Sequence, residues 1–339
     1  MEYTIAAIKV VFVLFLAILP SVAYIVLLER KVAAAIQNRI GPNRVGWKGL
    51  MQPLADVLKL VMKEDIVPTN ANRFIHDLAP VISIGVAFTT FAVIPFGDHI
   101  TLFGYDIKLQ IATVNIGILY ILALTSLGVY GVTLSGWSSN SKYSLLGGVR
   151  ASAQLISYEL SMGLSIIGVV MIAGSLQLDE IVKAQAGGKW NIFLQPIGFI
   201  TFFVSSFAET NRLPFDLPEA EPELVGGYHT EYSGLKFGLF FLAEYANMLT
   251  SSAIITTLYL GGWQVPFIHD LGLSEFWIAI IQVGGFCLKI VLLVLFFIII
   301  RWTIPRFRYD QLMNLGWKVM LPIAILNLLV TGALIVGFF

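Results

Sequence analysis

The sequence predicts an all-α, polytopic membrane protein, and three observations carry that prediction. Of its 339 residues, 57% are apolar and 12% are charged, roughly half the charged share of a soluble globular domain. The apolar residues gather into runs long enough to cross a bilayer, which takes about 20 residues at 1.5 Å each. Lysine and arginine concentrate in alternate connections between those runs. Backbone polar groups inside a bilayer must be satisfied within their own segment, so the runs are expected to be helices.

Eight spans are expected within a single membrane domain covering 1–339, at approximately 5–28, 80–96, 111–135, 154–175, 192–208, 237–260, 278–300 and 319–338. The first is too long for a signal peptide and lacks a small-residue cleavage site. The connection 29–79 is too long for an idle turn. Within it, PLADVLKLVMKED predicts an amphipathic helix at about 53–63. Pro53 suits a first helical position, Leu54, Val57, Leu58 and Val61 form one stripe, and Asp56, Lys59 and Lys63 form another. Such a helix lies in the membrane interface. It either covers the protein's own cytoplasmic face or lines an opening to the lipid, and the two roles are compatible. RIGPNRVG at 39–46 reads as a stiff basic turn, a docking surface or structural loop rather than a phosphate site.

Orientation follows from the bases. Connections after spans 1, 3, 5 and 7 hold sixteen lysines and arginines, whereas the opposite connections hold Lys108, Lys183 and Lys189. The odd connections therefore face the cytoplasm, or a mitochondrial matrix, and both termini lie outside. Arg301, Arg306 and Arg308 are accounted for by this rule. The acidic loop 209–236 is the fifth connection and so faces inward.

Several chemistries are excluded. Cys287 is the only cysteine, which rules out intrachain disulfides and an all-cysteine iron–sulfur site within this chain. The four histidines are scattered without metal-ligand spacing, and neither GxGxxG nor a P-loop occurs. Net charge is zero. The expected surroundings are the lipid bilayer and other chains, not nucleic acid.

Ionisable residues inside a membrane are costly and raise a functional hypothesis by default. Glu159 is expected about one and a half turns into span 4, and Glu244 about two turns into span 6, counted from the cytoplasmic end. Glu29 and Arg30 close span 1 and Glu209 closes span 5. Glu244, Asn247 and Ser251 form one polar stripe. Taken singly, each acid is open to a plainer reading as a snorkelling or locally paired side chain; their common depth and side favour a shared path. Lys289, near the middle of span 7, is read either as paired to a facing carboxylate or carbonyl or as part of a transport route.

The loop ETNRLPFDLPEAEPELVGGYHTEYSG carries Glu209, Asp216, Glu219, Glu221, Glu223 and Glu231 against one arginine, Arg212. If extended, Glu219, Glu221 and Glu223 lie roughly 7 Å apart on one face. At an effective dielectric near 20, neighbouring pairs then repel by roughly 2.4 kcal/mol, and the cluster titrates as a coupled unit. A solvated acidic loop is the plain alternative. Leu213, Phe215, Leu217, Leu224, Val225 and Tyr228 argue that the loop folds down on the helices instead. His229 reads as a surface or hydrogen-bonded structural histidine.

The segments ERKVAAAIQNRIGPNRVGWKG, QPLADVLKLVMKED, GVRASAQLISYELSMG, the acidic loop with FLAEYAN, and RWTIPRFRYDQLMNLGWK together resemble the H-subunit family of bacterial NADH-quinone oxidoreductases, called subunit 1 in mitochondria. The resemblance runs in order from span 1 to span 8. It implies a membrane anchor for the electron-transferring arm and a chamber through which ubiquinone or menaquinone enters from the bilayer. It also implies that the electrons come from an iron–sulfur cluster on a different chain. The family's carboxylate path maps onto Glu29, Glu159, Glu209, Asp216, Glu219, Glu221, Glu223, Glu231 and Glu244. Its quinone-chamber positions map onto Arg30, Asp56, Arg212 and Phe241, with Arg150 and Arg301 as supporting charges. Implied partners are the peripheral-arm iron–sulfur and quinone-site subunits and the antiporter-like and small membrane subunits. The location implied is a bacterial inner membrane, with the mitochondrial inner membrane as alternative. Related membrane-bound hydrogenases and dehydrogenases use a similar chain. A proton-coupled secondary transporter is the competing class, against which stands the lack of an inverted repeat.

Overall fold

The computed structural model describes residues 2–102, 105–217, 221–266, 268 and 274–338. Among these residues the chain is mainly helical, and seven helices are long and apolar enough to cross a membrane. In chain order they are α1 (Ala6–Ile36), α3 (Arg73–Val93), α4 (Gly117–Ser138), α5 (Lys142–Ala173), α9 (Gly234–Tyr259), α10 (Glu275–Thr303) and α11 (Tyr309–Gly337). Between them lie α2 (Gln52–Met62), α6 (Leu178–Ala184), α7 (Pro196–Glu209) and the single turn α8 (Glu221–Leu224).

The fifth apolar stretch, expected as one span at 192–208, is instead broken. Helical residues Ala186–Leu194 meet α7 at a bend of 70°, where Gln195 leaves helical geometry and Pro196 starts the next helix. Eight crossings are reached only if that bent pair counts as one. The all-α expectation holds for the bulk of the described residues, with one addition: β1 (His99–Leu102) and β2 (Tyr105–Lys108) pair as an antiparallel hairpin, His99 opposite Lys108. Its β-branched and aromatic residues alternate over too few positions to stand out beside the long apolar runs.

Helix ends differ from the apolar limits for local reasons. α1 continues past Leu28 to Ile36 because Val32, Ala33, Ala34 and Ala35 sustain a helix. Glu29 and Arg30 therefore sit inside it rather than closing it. α3 begins at Arg73, since the Asn72 side chain accepts from the Ile75 amide at 3.4 Å and caps the helix; Pro80 lies within the helix. α5 starts at Lys142 and runs 32 residues, roughly 48 Å, so one end projects beyond a hydrocarbon core of about 30 Å. Two stretches, Phe12–Ile18 and Leu315–Met320, are wound as π-helix. Each ends just before a proline, Pro20 and Pro322, whose missing N–H and ring disrupt the ladder at that point.

Packing is centred on α9, which touches α1, α2, α3, α7 and α10. Its buried residues, among them Tyr245, Met248, Leu249 and Ile255, tie the core together. α3, α4, α5 and α7 continue as a layer of successive neighbours, and α11 packs on α5 and α7. α2 lies against α1 and α9. Its Leu54, Val57, Leu58 and Val61 are all exposed, so the apolar stripe faces away from the protein.

Candidate functional site

The acidic segment is fastened to α5. Gln154, fully buried, donates through Nε2 to the Ala208 and Phe215 carbonyls at 2.8 and 2.9 Å and to Asn211 Oδ1 at 3.2 Å. Further along, Gly147 lets the loop lie directly on the helix: a Cβ there would stand 2.7 Å from the backbone of Gly227. The loop's apolar residues supply the remaining hold. Phe215, Leu217, Leu224 and Tyr228 are buried, as expected of a loop folded down on the helices.

The fold brings three separate parts of the chain to Glu29. Arg212 Nη1 donates to Glu29 Oε2 at 2.9 Å, and Tyr245 donates its phenol proton to the same oxygen at 2.7 Å. Arg301 pairs with the other oxygen. The Arg212 guanidinium also lies 3.9 Å from the Tyr245 ring centroid and 4.0 Å from Glu244 Oε2. Glu244 accepts in turn from the Tyr228 phenol at 2.9 Å. Arg212 and Glu29 are nearly sealed from solvent, at 4% and 6% exposure. Burial alone works against the Arg212 charge, but Tyr245, Glu29 and Glu244 outweigh it and hold the guanidinium protonated above its usual range.

The single arginine within the loop therefore gave a false picture of charge balance. Arg306 pairs with Asp216 at 2.9 Å, Arg150 with Glu223 at 2.6 Å, and Arg301 with Glu29. All three come from other segments, so Arg301 and Arg306 do more than set topology. Arg150 also lies over the Tyr309 ring.

Small cavities connect the deeper acids. One of about 50 Å³ is lined by Glu209, Glu244, Asn247 and Tyr228. A second of about 10 Å³ is lined by Glu209, Glu159, Thr125 and Ser205. The first has room for a few waters, and the second is at the limit for one. Both cavities are polar at the carboxylates, and Ser126 donates to Glu159. Glu209 stands between the other two acids and opens on both spaces. The arrangement can hold and relay protons between fixed carboxylates.

The other expected positions fall nearby or apart. Arg30 on α1 pairs with Asp56 on α2 at 2.7 Å, with Gln52 donating to the second Asp56 oxygen at 3.1 Å. Phe241 on α9 meets the Tyr245 ring edge-on, ring centroids 4.8 Å apart. Glu223 is exposed and Glu231 half-buried. Glu219 lies outside the described residues, and of Glu221 only the backbone is described. The extended backbone assumed from Glu221 to Glu223 is not found, because Glu221–Leu224 forms a helical turn. Glu159 stands 17 residues from the start of α5, roughly 25 Å along it, because the helix begins well before its apolar part.

Three positioning residues carry no mark in the sequence pattern that singled out the acids: Tyr245, Gln154 and Ser126. Tyr245 had a signal, four residues after Phe241 and therefore on the same helix face. Lys289 resolves as a structural group. Its ammonium donates to the carbonyls of Leu260, Gly262 and Gln264 at 2.8, 2.9 and 2.8 Å and lies 4.7 Å from the Trp190 ring centroid. His229 is half-buried, its ring against Tyr228 and Phe237. Among the described residues, no group of three histidine, cysteine or acidic side chains is arranged to hold a metal ion.

The profile of the NADH dehydrogenase family matches residues 8–332. The chain is 55% identical to an NADH-quinone oxidoreductase H subunit of Cytophaga hutchinsonii over 310 residues, which cover 91% of each protein. It is 52% identical to an NADH-quinone oxidoreductase H subunit of Geobacter metallireducens, covering 99% of this chain and 97% of that one. It is also 52% identical to NADH-quinone oxidoreductase subunit 8 of Rhodothermus marinus, with 94% of each covered.

Proposed function

The chain belongs to the NADH dehydrogenase family, in its H-subunit branch, as a membrane subunit of an oxidoreductase, and on that premise we propose that it admits quinone from the bilayer and couples quinone reduction to proton translocation. The observation that carries this reading is the buried cluster of Glu29, Arg212 and Tyr245 with Glu244 4.0 Å away. Glu29 lies on α1 and Tyr245 on α9, two of the helices of the α1–α2–α9 seam, and Glu244 lines the first of the cavities that it, Glu209 and Glu159 border.

In this reading Arg30, Asp56, Arg212 and Phe241 border the quinone chamber. The exposed apolar stripe of α2 lies in the cytoplasmic-side interface, where it gives the quinone tail a route from the lipid. The chain crosses eight times, counting the bent pair once, with both termini outside, in a bacterial inner membrane. Arg39, Arg44 and Lys48 offer a basic docking face to the peripheral arm, whose iron–sulfur cluster supplies the electrons. Antiporter-like and small membrane subunits adjoin the Glu159 end.

Quinone reduction to quinol takes two electrons and two protons. Negative charge arriving beside Arg212 and Arg301 competes with Glu29 and Glu244 for those cations, and so raises the proton affinity of the acids. The acids form one electrostatically linked set. Protonation of Glu244 then passes to Glu209 and Glu159 through the two cavities. Asp216, Glu219, Glu221, Glu223 and Glu231 extend the same set toward the loop surface, with Arg150 steadying Glu223.

The reading is tested with Glu209→Gln and Glu244→Gln in the assembled complex in sealed membrane vesicles. Quinone reduction and proton uptake are followed together. The expected result is that protons moved per electron drop severalfold in both variants. Wild-type pumping and wild-type quinone reduction in both would sink the proposal.

A further inference from the structure

A further cavity contains none of these acids. It is a groove of about 750 Å³ between α1 and α10, backed by Phe91, Phe96 and Leu249. Along α1 it runs from Ile8 to Lys31, 23 residues or roughly 35 Å, which matches a hydrocarbon core of about 30 Å. Between its ends the walls are almost wholly apolar, with Phe12, Ile25, Phe286, Ile290 and Val294 among them.

The charge sits at the ends. At the Ile8 end, Lys9 Nζ donates to the backbone carbonyls of Lys108 and Gln110 at 2.8 and 3.3 Å, which seats one lysine on the backbone of the other. Both line the groove. Among the described residues neither is in an ion pair, and Asp106, two residues before Lys108 on β2, is exposed and in none either. By contrast Lys183, another of the few bases on that side of the chain, is paired with Asp98 at 3.4 Å. Two positive charges on one rim repel one another unless an anion lies between or beside them.

A groove as long as the bilayer is thick, apolar along its length and doubly cationic at its rim, complements one chemistry: an anionic headgroup carrying long acyl chains. We propose that it binds an anionic phospholipid, with the phosphate on Lys9 and Lys108 and the acyl chains laid between α1 and α10. A partner's apolar helix or a quinone tail would fill the length but leave the lysine pair without its anion. The inference is independent of the proposed proton path.

The test uses the assembled complex, extracted and washed in detergent, in wild-type form and as Lys9→Gln/Lys108→Gln. Retained phospholipids are counted per complex by mass spectrometry. The wild type is expected to keep a tightly held anionic phospholipid that falls at least fivefold in the double variant, while zwitterionic lipids stay level. Equal retention of anionic lipid overturns the proposal. Should the double variant not assemble, a photoreactive phenylalanine in place of Val291 on the groove wall decides. An adduct of phospholipid mass supports the site; an adduct with another protein chain or a quinone, or no lipid adduct, overturns it.

Discussion

Arg212 reaches Glu29 at 2.9 Å across 183 residues of sequence, and both side chains are almost completely buried. A pair sealed in this way is costly to break on one side only, by about 3–5 kcal/mol, because the remaining charge is left without its partner. Glu29→Gln strands two arginines, Arg212 and Arg301, and is expected to lower both the yield of assembled complex and its heat-inactivation midpoint. Glu29→Gln combined with Arg212→Gln should lose clearly less than the sum of the two single variants. Additive losses in the melting midpoint would mean that the two groups do not depend on each other.

Tyr245 joins the same pair by two separable contacts. Its hydroxyl donates to Glu29 at 2.7 Å, and its ring carries the Arg212 guanidinium at 3.9 Å. Tyr245→Phe removes only the first, a hydrogen bond to a charged group worth about 1.5–3 kcal/mol. Tyr245→Leu removes the cation–π contact as well, about 0.5–2 kcal/mol more. In steady-state quinone reduction, the expected order of catalytic efficiency is wild type, then Phe, then Leu. A Phe variant indistinguishable from wild type would show that the hydroxyl contributes nothing to the site.

Much of this was legible in the sequence, and the part that was not has a physical reason. The helical kind of the spans follows from hydropathy, since each long helix satisfies its own backbone, and Glu244 and Glu159 stand out because acids are rare in apolar runs. Pairing is different. Nothing local announces that Arg301, Arg306 and Arg150 will neutralise Glu29, Asp216 and Glu223, because those contacts close loops of 272, 90 and 73 residues. The loop looked acid-rich only while it was read as a line. The break at Gln195 and the 99–108 hairpin were hidden for a simpler reason: each involves a few residues whose geometry is set by neighbours rather than by propensity.

Lys289 separates a structural charge from a transporting one. Its three carbonyl acceptors all lie at 260–264, the stretch following α9. Lys289→Met leaves them without a donor at about 1–3 kcal/mol each if they stay buried. Less complex should accumulate, while the complex that does form moves the normal number of protons per electron. A normal amount of complex with fewer protons per electron would instead assign the lysine to the proton route.

The apolar stripe of α2 makes a claim about depth that can be read directly. Leu54, Val57, Leu58 and Val61 are 52–59% exposed, yet Arg30–Asp56 and the packing on α9 hold the helix against the protein. We expect lipid to cover a helix that presents such a stripe outward. Cys287 is the one native cysteine, so a Cys287→Ser background accepts single spin labels. Labels at Val57 and Lys59 sit two residues, or about 200°, apart on the helix and therefore on opposite faces. The label at Val57 should relax with dissolved oxygen, and the label at Lys59 with a water-soluble nickel chelate. Equal nickel accessibility at both positions would place the helix in water, and the α1–α2–α9 seam would then lose its route to the lipid.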